Sequence, residues 1–106
     1  MGNLLNETLK ELKNNDKTPN DVKFIMITSK EGSMEWPEFE SAIKNVNYDS
    51  GYGINEIHED LVIVGESWWL ERGEYDGSEW WDFKEIPKRP KRPKRPIGFI
   101  NLITKT

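Results

Sequence analysis

Glu71, Glu74 and Glu79 fall between two tryptophan pairs, Trp68-Trp69 and Trp80-Trp81, and Asp82 directly follows the second. Carboxylates this close together can share a proton, hold a cation or attract basic side chains. General acid–base work needs one pair set apart by its surroundings, and nothing in the sequence singles one out. His58 is the one histidine, flanked by Glu56, Glu59 and Asp60. A metal site needs further donors at suitable spacing. Asp49, Glu56, Glu59 and Asp60 do not follow the calcium-loop pattern. His58 therefore reads as a solvated side chain among acids, and no metal or cofactor is expected. Gly51 and Gly53 lack the helix and lysine of a phosphate loop. A nucleophile elbow and a Ser-His-Asp signature are also missing. No catalytic residue can be named, and these residues point to binding rather than to an enzyme.

The elements that must position them are two strands. Asp76-Gly77 is a strong hairpin signal, so residues 68–75 and 78–86 should pair around it. A two-residue loop sets Tyr75 opposite Ser78, Glu74 opposite Glu79, Gly73 opposite Trp80 and Arg72 opposite Trp81. Glu71 then faces Asp82, and Leu70 faces Phe83. Side chains alternate between faces. Trp68, Leu70, Trp81 and Phe83 form an expected core face. Trp69, Glu71, Tyr75, Trp80 and Asp82 share the other, and with Glu74 and Glu79 they make the candidate binding set. Two explanations need no ligand: Trp80 covering the bare backbone of Gly73, and a second layer such as the N-terminal helix covering Trp69. The third is a recognition surface with aromatic anchors. Glu71–Asp82 and Glu74–Glu79 are like-charge pairs, which weaken a sheet. They suit a cation from a partner or from this chain's own tail.

The remaining elements follow from periodicity. Residues 3–14 read as a helix with a stripe of Leu5, Leu9 and Leu12 and with Leu4 beside it. Residues 22–29 read as a strand, and the continuous run Phe24-Ile25-Met26-Ile27 suggests a central one. A second helix over residues 36–46, with Pro37 early, carries Phe39, Ile43 and Val46. A tyrosine-bearing loop over residues 48–53 leads to a buried strand, Leu61 to Val64. The expected fold is α+β: a four-stranded antiparallel sheet with two helices packed on it, followed by a basic, proline-rich tail.

Charge divides the chain of 106 residues. Lys88, Arg89, Lys91, Arg92, Lys94, Arg95 and Lys105 lie after residue 86, with no acid among them. The other eight bases face all 19 acids, giving residues 1–86 a net charge of −11. Residues 1–86 are thus expected as an acidic domain and 87–96 as a Lys-Arg-Pro linker. Residues 97–106 form an apolar end, either a terminal strand or disordered. Proline at every third position favours polyproline II. Lys88, Arg89, Lys91, Arg92, Lys94 and Arg95 are alternative nucleic-acid-binding residues, gripping phosphates while aromatic rings stack on bases. The chain has no cysteine, which suits a cytoplasmic protein. No apolar run approaches the roughly 18 residues of a membrane span, and the N-terminus lacks the basic-then-apolar order of a signal peptide.

The string from Val64 to Lys84, with Trp68-Trp69-Leu70-Glu71-Arg72 and Glu74-Tyr75-Asp76-Gly77-Ser78-Glu79-Trp80-Trp81 at its centre, resembles a segment of small uncharacterised proteins from phages and prophages of Gram-positive bacteria. The resemblance spans roughly residues 22–87. It carries no catalytic residues across. It implies a bacterial host cytoplasm and a class of inhibitors that resemble anti-CRISPR proteins, binding a basic host protein such as a CRISPR nuclease. A groove that neutralises phosphates also attracts a carboxylate surface. A nucleic-acid-binding accessory protein and a structural adaptor, with the tail folded onto the acidic face, are the alternative expectations.

Overall fold

The computed structural model describes residues 2–48 and 57–88. The fold is α+β, with two helices and antiparallel sheets. β1 (Gly2–Asn3) leads into α1 (Leu4–Asn14), and β2 (Phe24–Ile27) follows a short 3-10 turn at Pro19–Asp21. After α2 (Trp36–Ile43) come β3 (Asn47–Tyr48), β4 (Leu61–Val64), β5 (Trp68–Tyr75) and β6 (Ser78–Glu85). The main sheet has the order β2-β4-β5-β6, and β1 pairs with β3 in a second, two-stranded sheet.

α1 starts where the Asn3 side chain accepts the Asn6 N–H at 3.0 Å, satisfying one of the helix's free donors. Its buried line is Leu4, Thr8 and Leu12, with Leu5 and Leu9 half-buried beside it. The expected leucine stripe is thus rotated, because Thr8 has polar partners in the core. α2 buries Trp36, Phe39 and Ile43 and stops there, short of the expected residue 46. Val46 instead closes a turn and accepts the Leu4 N–H at 2.9 Å. That bond and the β1–β3 pairing join the start of α1 to the segment after α2.

The central placement expected for residues 22–29 is corrected: β2 lies at the edge of the main sheet. Its free edge is partly paired: Met34 forms an isolated antiparallel bridge with Ile25, exchanging both backbone hydrogen bonds at 2.8 and 2.9 Å. The long hairpin has the expected register from Trp68↔Glu85 to Tyr75↔Ser78. Asp76 and Gly77 have φ of 51° and 87°, the left-handed pair that a two-residue turn requires.

The register lines residues up in rows across the sheet. Ile25, Ile63, Leu70 and Phe83 form an inner row. Phe24, Val64, Trp69 and Lys84 form one outer row, and Met26, Val62, Glu71 and Asp82 form the next. Both helices pack on the inner face: the core joins Leu4, Leu12, Trp36, Phe39 and Ile43 to Ile25, Ile63, Trp68, Leu70 and Trp81. Among the described residues, no helix is long and apolar enough to cross a membrane.

Candidate functional site

The hairpin has two distinct polar systems, one on each face. On the inner face, Arg72 and Glu79 form an ion pair at 3.1 Å, with side chains only 3% and 1% exposed. Arg72 Nη2 also donates to the Tyr48 hydroxyl at 3.1 Å, and that hydroxyl donates to Glu7. The Ile57 N–H donates to Glu79 Oε1 at 3.2 Å. The guanidinium carbon lies 4.6 Å from the centroid of the Trp81 ring, within cation–π range. Trp81 Nε1 in turn donates to Thr8 Oγ1 at 2.9 Å, and Thr8 donates to the Leu4 carbonyl at 2.7 Å. The network thereby ties β5 and β6 to α1, β3 and the segment before β4. Burial and the bond to Glu7 push the Tyr48 phenol up to about 12.

This arrangement corrects one member of the candidate set. Glu79 is buried on the inner face and paired within the chain, so it is not part of an exposed acidic surface. The cation that its like-charge pair with Glu74 calls for is Arg72, one strand away. Glu74 shares the inner-face parity but lies exposed near the turn. Arg72, Tyr48, Glu7 and Thr8 were not among the expected site residues. Strand alternation carried the signal for Arg72, since the residue opposite Trp81 must share its buried face.

On the outer face the remaining residues do come together. Trp69 Nε1 donates to Glu71 Oε1 at 2.9 Å, and Trp80 Nε1 donates to Asp82 Oδ1 at 2.8 Å. Each indole holds the carboxylate two positions further along its own strand. Glu71 and Asp82 are also directly opposite each other. Two half-buried carboxylates are therefore fixed side by side between two indoles. The one ion pair found among the described residues is that of Arg72 and Glu79, so no described cation is bound to this carboxylate pair.

Trp80 lies over Gly73. A Cβ there would sit 2.5 Å from Trp80 Nε1 and 2.5 Å from Asp82 Oδ2. The ring covers bare backbone and still leaves Trp80 40% exposed. Tyr75 stands out at the turn, 77% exposed. The expected cover of Trp69 by the N-terminal helix is not found, because α1 lies on the opposite face.

The other candidates are separate. His58 is exposed, and its Nδ1 accepts the Asp60 N–H at 3.1 Å. Among the described residues no three His, Cys, Asp or Glu side chains could hold a metal ion together. Lys88 is exposed. Arg89, Lys91, Arg92, Lys94 and Arg95, the apolar end, and the Asp49–Gly53 part of the tyrosine-bearing loop lie outside the described residues.

The fold and hairpin define a small α+β domain with an acidic, indole-framed sheet face. Compared with protein-family models, curated proteins and solved structures, the chain matches none.

Proposed function

We propose that this chain is a non-enzymatic protein-binding module that engages a basic partner through the outer face of its hairpin. The observation that carries the reading is the Glu71–Asp82 pair. Like charges directly opposite across strands weaken a sheet, yet here both are anchored by indole N–H donors. Anchored carboxylates meet an incoming arginine or lysine without first losing side-chain freedom. Trp69, Trp80 and Tyr75 supply the large aromatic contacts that dominate binding energy. The net charge of −11 on residues 1–86 speeds encounter with a basic surface.

The partner class that fits is a host nucleic-acid-processing protein, such as a CRISPR nuclease, with the chain acting as an anti-CRISPR-like inhibitor in the bacterial cytoplasm. Support comes from the resemblance of the hairpin string to phage proteins and from the physics of a phosphate-binding groove, which also attracts carboxylates.

The test is association of the purified chain with a purified CRISPR nuclease at low salt. Glu71→Gln with Asp82→Asn keeps an acceptor oxygen for each indole and removes both charges. The expected result is an unchanged fold by circular dichroism and an association rate at least about tenfold lower, as electrostatic steering predicts. Equal rates for both proteins would overturn the reading. Retention of DNA by the chain, lost on neutralising Lys88 to Arg95, would assign function to the basic repeat instead.

A further inference from the structure

β6 pairs with β5 on one side, and among the described residues no strand lies on its other side. The hairpin register fixes which backbone groups point to that open edge. The Ile86 N–H donates inward to the Ser67 carbonyl at 2.8 Å. Bonding directions alternate along an antiparallel strand, so Ser78, Trp80, Asp82 and Lys84 also bond toward β5. Trp81, Phe83 and Glu85 therefore turn their N–H and C=O outward. An edge of this kind is a template for another strand.

The side chains along the edge complement one another when the strand is reversed. Asp82 and Lys84 lie two positions apart on the outer face, and neither has an ion-pair partner among the described residues. Trp80 and Ile86 share that parity and are 40% and 58% exposed. Pro87 follows and has no N–H to offer a ladder.

We infer that β6 pairs antiparallel with β6 of a second copy of this chain, about a two-fold axis at Phe83. Phe83 then exchanges both backbone bonds with Phe83 of the second copy, and Trp81 does so with Glu85. On the outer face Asp82 meets Lys84 of the second copy, and Lys84 meets its Asp82. Trp80 packs against Ile86 in the same reciprocal way, as a two-fold contact requires. Opposite charges and large apolar side chains directly opposed across strands stabilise a sheet. Pro87 falls opposite Glu79 and ends the pairing. The neighbouring registers are worse. Centring the axis on Asp82 sets that carboxylate against its own copy and Glu79 against Glu85, and centring it on Lys84 opposes two ammonium groups. The favoured register joins the two main sheets into one, with the helices of both copies on the same side. The contact is one strand edge wide, so the dimer dissociates on dilution. It does not rest on the proposed function.

The test is sedimentation equilibrium of the full chain, from micromolar to millimolar concentration, at a salt level that screens its net charge of −4. The expected mass at the upper end is twice the 12.4 kDa of one chain. Asp82→Lys alone places an ammonium opposite Lys84, and Lys84→Asp alone places a carboxylate opposite Asp82. Each variant should stay at the mass of one chain. Mixing the two restores both opposite-charge pairs, and the doubled mass should return. Glu85→Pro removes an N–H that only the second copy would use, and it should also hold the chain at single mass with an unchanged circular dichroism spectrum. A wild-type chain that stays single throughout would overturn the inference. So would a dimer that survives either charge reversal, or one that mixing does not regain. The nuclease association test reads a different quantity, so either reading can fail alone.

Discussion

The Arg72 guanidinium and the Glu79 carboxylate meet at 3.1 Å on the buried side of the hairpin, close to the Tyr48 hydroxyl. A buried pair is weak evidence for net stability, because desolvation offsets the attraction. Breaking it is a different matter, since one charge is left buried without its partner. Glu79→Ala should therefore cost about 3–5 kcal/mol. Glu74→Ala, on the facing but exposed position, should change stability by less than about 0.5 kcal/mol. Urea unfolding of both variants checks this, and equal losses would remove the distinction.

Trp81 and Trp69 differ in the same way. Trp81 is 6% exposed and bonded to Thr8, so Trp81→Ala should cost about 3–5 kcal/mol. Trp69 is half-buried on the outer face, and Trp69→Ala should cost clearly less. Thermal unfolding monitored by far-ultraviolet dichroism separates the two. Similar large losses would mean that Trp69 belongs to a second core layer.

Gly73 and Trp80 are coupled through space. Gly73→Ala places a methyl against the Trp80 indole and the Asp82 carboxylate, and overpacking of this kind costs about 1–3 kcal/mol. In the Trp80→Ala background the same change should cost much less. A double-mutant cycle by urea unfolding reads the difference, and strict additivity would show that the ring does not need the bare backbone.

Tyr48 gives a pH signature. Its folded-state value of about 12 lies above the ordinary 10.0. The folded state thus binds the phenolic proton more tightly than the unfolded chain does. The stability from this group is complete below about pH 10 and is lost as pH rises toward about 12. The stability difference between wild type and Tyr48→Phe should be flat from about pH 7 to 9 and shrink above that. A difference that grows with pH would reverse the assignment.

Much of this molecule is legible in its residues. The Asp76-Gly77 turn determines the hairpin, because few other dipeptides accept two positive φ angles. That turn then dictates the strand register, and alternation separates Trp68, Leu70 and Trp81 from Trp69, Glu71 and Asp82. Both helices are likewise readable from their apolar spacing. Tertiary structure decided the rest. Parity alone does not show that Arg72 and Glu79 can be buried: Tyr48, Ile57 and Trp81 converge on the pair from separate parts of the chain, while Arg72 Nε and Nη1 are buried without a hydrogen-bond partner. Thr8 enters the core for the same reason, having found Trp81 as a partner 73 residues away. Local sequence sets backbone preferences over a few residues, whereas burying a polar group depends on partners that only the folded chain brings within hydrogen-bonding distance.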